Sequence, residues 1–257
     1  MIKFSVLIPT YNNLNYLKLA IDSIKHNSIY EHEIILHIND GSDGTLNYAK
    51  NNNLIYTHSS ENIGLCSAIN KASGKISTEY VLYVHDDMYL CKNWDQILED
   101  EIKSLDNDLF YFSGTNYEAR DIDMRFNPGN SPEQFNPNDF YNFCMTKNEK
   151  DLQGSHWAPH IISKRLWDVV GGFSEEFNPG DGSDPDFCMK LWKNKVRIFK
   201  SIDKFKVFHF GSTTTRKKNV IKNNGTKKFL LKYGFNPKFF RKYYLNGGAD
   251  SIYDGPL

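Results

Sequence analysis

Asp86 and Asp87 stand side by side at the end of the apolar run Tyr80-Val81-Leu82-Tyr83-Val84. Adjacent carboxylates repel one another, and a divalent cation relieves that cost. Mg²⁺ or Mn²⁺ typically takes one or two carboxylates and completes its shell with phosphate oxygens of a substrate. Taken alone, the pair is equally well read as a solvated polar turn. Other residues carry the same two-sided reading. Asp40-Gly41 follows the apolar run Glu33 to Ile38, and Asp-Gly favours turns in any protein. Asp184 precedes Pro185, which makes it a good helix N-cap. His209 closes Phe205-Lys206-Val207-Phe208, where a histidine can simply pack on aromatics. Trp157 lies in Gln153-Gly154-Ser155-His156-Trp157-Ala158-Pro159-His160, and a single Trp is most often core.

The elements that must position these residues follow from periodicity. Phe4 to Ile8 predicts a buried strand, turned by Pro9-Thr10-Tyr11-Asn12-Asn13. Leu14, Leu17, Ile21 and Ile24 recur at helical spacing, with Asn12 or Asn13 placed to cap. A second strand is expected over Glu33–Ile38, a short helix over Thr45–Asn51, and a third strand over Leu54–His58. A helix carrying Leu65, Ile69 and Ala72 follows, then a fourth strand over Tyr80–Val84 and a helix near Trp94 to Leu105. Strands alternating with helices at crossover length predict an open, mostly parallel α/β sheet. Ligands bind such sheets beyond the carboxyl ends of the strands. Pro9-Thr10-Tyr11, Asp40 and Asp86-Asp87 all fall at those ends. The pattern breaks between Thr115 and about Lys150, which reads as a long loop or small insertion. It resumes with Leu166–Val170, a helix over Asp186–Trp192, and two strands, Val196–Phe199 and Phe205–His209.

The formal net charge of the 257 residues is zero but unevenly spread: Met1–Ser212 holds 21 basic and 29 acidic residues, Thr213–Leu257 holds 10 basic and 2 acidic. A cationic tail interleaved with aromatics suits an anionic membrane surface, a lipid-linked acceptor or a departing diphosphate. It suits equally a solvated helical cover on the sheet, and nucleic acid is not an expected partner. The four cysteines, Cys66, Cys91, Cys144 and Cys188, fit neither a zinc nor a redox spacing. They read as reduced thiols of a cytoplasmic protein, peripheral to the inner face of a membrane if the tail docks. The opening Met1–Ile8 is too short for a signal peptide, and no run nears the ~20 apolar residues of a membrane span.

Five short segments in order resemble the family 2 glycosyltransferases of the nucleotide-sugar-binding A-type fold. They are Pro9-Thr10-Tyr11-Asn12, Asn39-Asp40-Gly41-Ser42-Asp43-Gly44-Thr45, the stretch from Glu61-Asn62-Ile63-Gly64 to Ala68-Ile69-Asn70, His85-Asp86-Asp87, and Gly171-Gly172-Phe173-Ser174-Glu175-Glu176-Phe177. The resemblance spans roughly Lys3 to Ser212. It implies a Rossmann-like sheet flanked by helices over 1–212, with a nucleotide-binding half (1–105), an acceptor-binding half (106–212), and a basic aromatic extension (213–257). Pro9, Thr10, Tyr11 and Asp40 would hold the nucleobase and ribose, and a carboxylate there favours uridine. Asn62 and Gly64 would border the nucleotide. Asp86 would lie near the ribose or metal, and Asp87 would bind Mn²⁺ or Mg²⁺. In Gly182-Ser183-Asp184-Pro185-Asp186-Phe187, Asp184 aligns with the catalytic base of inverting members and Asp186 is the fallback. Ser183 and Pro185 depart from the usual pattern. His209, in a His-x-x-Ser segment ending at Ser212, would reach the metal or diphosphate. His156 and Trp157 would face a glycan or lipid-linked acceptor. The rivals are a nucleotidyltransferase acting on sugar phosphates, whose usual Gly-rich basic loop is missing after the first strand, and a non-catalytic carbohydrate-binding relative. A dehydrogenase is disfavoured because no G-x-G-x-x-G follows a strand.

Overall fold

A computed structural model of the chain describes residues 3–123, 125–211, 223–250 and 252. Phe4–Tyr11 forms β1, whose residues are nearly all buried. A strand buried on both faces reads as a continuous apolar run, and this one does. Then come α1 (Leu14–His26), β2 (Glu33–Asn39), α2 (Thr45–Asn51), β3 (Ile55–Ser59), α3 (Leu65–Ser73) and β4 (Tyr80–Tyr83). A short β5 (Met88–Leu90), α4 (Trp94–Lys103) and β6 (Phe110–Tyr117) follow. The second half of the chain adds α5 (Pro137–Thr146), β7 (Leu152–Gln153), β8 (His160–Ser163), α6 (Lys164–Val170), α7 (Ser183–Lys193) and β9 (Ile198–His209). Two last helices are α8 (Gly225–Tyr233) and α9 (Pro237–Tyr243).

The nine strands form one sheet of order β3-β2-β1-β4-β8-β6-β9-β5, with β7 also paired to β9. β3, β2, β1 and β4 are mutually parallel, as are β6 and β9. The antiparallel β8 is inserted between them, and β5 and β7 run antiparallel to β9. The open, mostly parallel sheet is therefore the one expected.

Three expectations need correction. The two late strands are one, β9, because between Gly114 and Thr115 the pairing partner on β9 jumps from Ile202 to Lys206. A buried pair spans the break, from Lys206 Nζ, where pairing resumes, to Asp203 Oδ2 at 3.2 Å in the looped-out stretch, and supplies polar partners there. The patternless stretch holds the end of β6 and also α5, capped by Asn136 Oδ1 accepting from Asn138 N. Its Phe140 and Phe143 are buried. Asn13 stands at the N-cap of α1 as expected, but its side chain makes no capping hydrogen bond: the Leu14 N–H donates to Asp43 Oδ2 at 2.9 Å, which leaves both amides for other work.

The C-terminal helices pack on the body. Phe229, Phe240 and Leu245 are fully buried. Gly225 meets Gly182 so closely that a Cβ on Gly225 would stand 2.1 Å from the Asp181 carbonyl oxygen. A Cβ on Gly154 would stand 2.2 Å from Gly247 Cα. Ser212 and the Arg216-Lys217-Lys218 cluster lie outside the described residues. The four thiols are free. No helix among the described residues is long and apolar enough to cross a membrane.

Candidate active site

The carboxyl ends of β1, β2, β4 and β9 converge on one region. Where β1 ends, Thr10 is buried and its Oγ1 has no hydrogen-bond partner among the described residues. Pro9 and Tyr11 lie in register with His37 and Asn39 of β2. Asp40 follows β2 with a φ of 62°. Asn12 ties the two turns together: its Nδ2 donates to Asp40 Oδ2 at 2.6 Å and its Oδ1 accepts from Gly41 N at 2.8 Å. Asn13 Nδ2 donates to Asp86 Oδ1 at 3.1 Å. The amides released from helix capping thus bind the first and second turns to the acidic pair.

Asp86 and Asp87 are both buried, as their place at the end of β4 requires. His209 Nε2 lies 3.3 Å from Asp87 Oδ1, because Met88 and His209 are partners in the β5–β9 ladder. His85 joins them. One ligand atom each from His85, Asp87 and His209 falls within 4.8 Å of the others. Burial pushes the His85 imidazole down to about 4, so it is neutral at pH 7, and its buried Nε2 has no hydrogen-bond partner. Two imidazoles and a carboxylate suit a divalent transition metal, and an unsatisfied buried ring nitrogen is what a ligand position looks like without its ion. His85 was missing from the sequence-based set. Its only signal was adjacency to the acidic pair.

The approach to α7 is held by two asparagines. Asn70 on α3 accepts from Phe173 N at 2.9 Å and donates to Phe173 O at 2.8 Å. Gly172 is required there, since its Cβ would stand 2.4 Å from Asn70 Oδ1. Asn178 Oδ1 accepts from Cys66 N at 2.9 Å, and its Nδ2 donates to Ser67 Oγ at 2.7 Å. Gly64, with a φ of 84°, makes room for that side chain. Asn62 is exposed, and its Oδ1 accepts from Gly64 N. Phe173 in turn stacks on Phe187 of α7, ring centroids 4.6 Å apart. The glycine and asparagine motifs therefore set the position of α7.

Asp184 and Asp186 both sit in the first turn of α7, whose N-cap is Gly182. Asp184 is therefore not the cap. It is half-buried, its Oδ1 is shielded without a partner, and burial pushes its carboxyl up to about 7. Asp186 is fully buried and fully engaged. It accepts from Ser174 Oγ at 2.6 Å, Tyr233 OH at 2.7 Å and Lys232 Nζ at 2.7 Å. The buried Tyr83 hydroxyl is pushed well above the usual tyrosine range, first by burial, then by the charges of Asp184, Cys66, Asp86 and Asp87. Asp184 and the acidic pair thus all act on this one hydroxyl.

His156 and Trp157 are half-buried. His156 Nδ1 lies 3.2 Å from the Gly154 carbonyl, and burial lowers its pKa. Trp157 Nε1 donates to Gly114 O at 3.1 Å, so one edge is fixed while a ring face borders a pocket. His160 is fully buried core, stacked on Phe187.

A nine-stranded sheet of this order, with an acidic and histidine cluster at the ends of its strands, defines a glycosyltransferase of the A-type fold. Residues 5–160, more than half of the chain, match glycosyl transferase family 2. The chain belongs to that family. It is 27% identical to a chondroitin synthase of Pasteurella multocida strain Pm70 over 96% of its own length and 26% of the relative's. It is also 27% identical to a hyaluronan synthase of P. multocida, over 86% of this chain and 22% of that one. The chain thus spans about a quarter of the length of these relatives. Among solved structures, S. aureus TarS 1–349 in complex with UDP-GlcNAc aligns with a TM-score of 0.62 at 18% identity, covering 89% of this chain and 65% of TarS. The mannosyltransferase PcManGT of Pyrobaculum calidifontis, in complex with GDP-Man and Mn²⁺, aligns at 0.58 and 18% identity, covering 82% and 58%.

Proposed function

We propose that this chain transfers a sugar from a uridine-diphosphate sugar to a glycan or lipid-linked acceptor, with inversion at the anomeric carbon. The observation that carries the reading is Asp184. Inversion needs one carboxylate to take the acceptor hydroxyl proton during attack. Asp184 is shielded, has an unpartnered oxygen, and titrates near neutrality. Asp186, two residues on, is spent on three structural contacts. In the proposed step the acceptor oxygen bonds to the anomeric carbon, its proton passes to Asp184, and the bond to the diphosphate breaks. Asp40 would accept the imide N–H of uracil, with Asn12 holding the carboxylate in place. Asn62, at the far edge, would border the nucleotide. His85, Asp87 and His209 would hold Mn²⁺ or Mg²⁺, which when bound would neutralise charge on the diphosphate.

The relatives named as chondroitin and hyaluronan synthases support a polysaccharide product, and the TarS complex supports a UDP-linked donor. Nothing in the family match favours a nucleotidyltransferase. The extension would dock on an anionic membrane at the cytoplasmic face. Leu231 is 76% exposed, and Phe239 and Tyr243 are also exposed, beside Lys227, Lys238 and Lys242. The deciding experiment is a panel of UDP-sugars incubated with Mn²⁺, with and without saccharide acceptors. Turnover of one sugar, stopped by a chelator and giving an inverted product, is expected. A product of retained configuration overturns the single-displacement mechanism.

A further inference from the structure

A second concavity, of about 330 Å³, opens between β6, β7 and the C-terminal segment. Its lining includes Asn116, Gln153, Trp157 and Arg241. Arg241, exposed on α9, lies over the Trp157 ring, its guanidinium carbon 5.6 Å from the centroid. That guanidinium makes no ion pair among the described residues, whereas the other charges of the pocket are matched. Lys150 pairs with Asp250 at 2.7 Å, and Glu149 pairs with Lys147 at 2.7 Å. Trp157 is pinned by Gly114, Gln153 Nε2 donates to Arg197 O, and Asn116 Nδ2 donates to Ala158 O at 2.8 Å. Asn116 also keeps a buried Oδ1 without a partner. On β6 it is the partner of Val207, two residues before His209 on β9, so the pocket borders the strand that carries one member of the metal cluster. The volume is that of a small ligand site.

The geometry points to an acceptor subsite for a saccharide that carries an anionic group. An arginine fork matches carboxylate or phosphate oxygens in two parallel bonds, and an indole face accepts the apolar face of a sugar ring. This deepens the acceptor side of the function proposed above and rests on it. It also gives a purpose to one cation of the tail.

The Trp157 indole N–H resonance, assigned by its loss in Trp157→Phe, reports the site directly. The protein would be titrated with methyl glucuronide, glucose 6-phosphate and methyl glucoside, alone and as Arg241→Gln. The two anions should shift the resonance with at least about tenfold higher affinity than the neutral glycoside, a size typical of a hydrogen bond to a charged group. The tighter of the two identifies the substituent. Arg241→Gln should bring both down to the neutral level. The inference is overturned if methyl glucoside binds as tightly as both anions, or if Arg241→Gln leaves their affinity unchanged. UDP binding, measured on the same two proteins, separates the cases: its absence from both sinks the donor reading and leaves the pocket's result standing.

Discussion

On the proposed mechanism, Asp184→Asn removes a base and leaves a shape. The variant should bind UDP as the parent does while transfer falls by about 10²–10⁴-fold. Its stability should move the other way. Burial raises the carboxyl from 3.8 to about 7, so the folded chain keeps a proton that the unfolded chain releases between those values. Stability from the neutral form is whole below about 3.8 and is lost as pH rises through about 7. Asp184→Asn should therefore melt above the parent at pH 8, with the gap narrowing toward pH 4. Parent kcat/KM should rise through neutrality as the base ionises. Asp186→Asn should do the opposite, melting lower by about 1–3 kcal/mol with transfer changed little, because it breaks hydrogen bonds and no reacting group. Asp87→Asn should abolish Mn²⁺-dependent UDP binding, read by calorimetry, and leave the melting curve near the parent's. The placing of Asp87 just past β4 and of Asp184 at the start of α7 could be read from the sequence, because each follows a recognisable apolar or turn signal. His85 was not, since a histidine beside two acids has no signature until β9 brings His209 to it.

Elements tell a similar story of local against distant information. The first four strands and their helices could be read from periodicity because each is a contiguous apolar run with its own turn. β9 could not, since its middle holds Asp203, Lys204 and Lys206, and only pairing across to β6 makes the bulge intelligible. The helix α5 was hidden because its buried positions are two phenylalanines, Phe140 packed against Phe135 and Phe208 and Phe143 against Tyr117 and Phe126, a cluster assembled from distant chain segments. The contact of α7 with α8 was equally invisible, and it is testable. Gly225→Ala places a methyl against the Asp181 carbonyl, which backbone cannot yield cheaply. Urea unfolding should show a loss of about 1–3 kcal/mol, the usual cost of overpacking. An unchanged midpoint would mean that α8 does not pack there in solution.

At the scale of the whole molecule, the proposals made above give one extension two tasks, divided by charge. Its exposed face combines Leu231, Phe239 and Tyr243 with Lys227, Lys238 and Lys242. Each cation near an anionic bilayer contributes roughly 1 kcal/mol, screened within a Debye length of about 8–10 Å. Replacing the three lysines by Gln should weaken sedimentation with anionic vesicles most at low salt, while turnover of a small soluble acceptor persists. Parallel loss of that turnover would place the lysines at the reacting groups. The opposite face of the extension is glycine-fitted to the body, at Gly182 with Gly225 and at Gly154 with Gly247. Those two fittings are a condition on inheritance. A lineage that exchanged this segment by recombination, and with it the arginine over Trp157, would keep full stability only with donors carrying glycine at both seams. Acceptor preference in this architecture should therefore travel as a block with its seams, rather than drift one residue at a time.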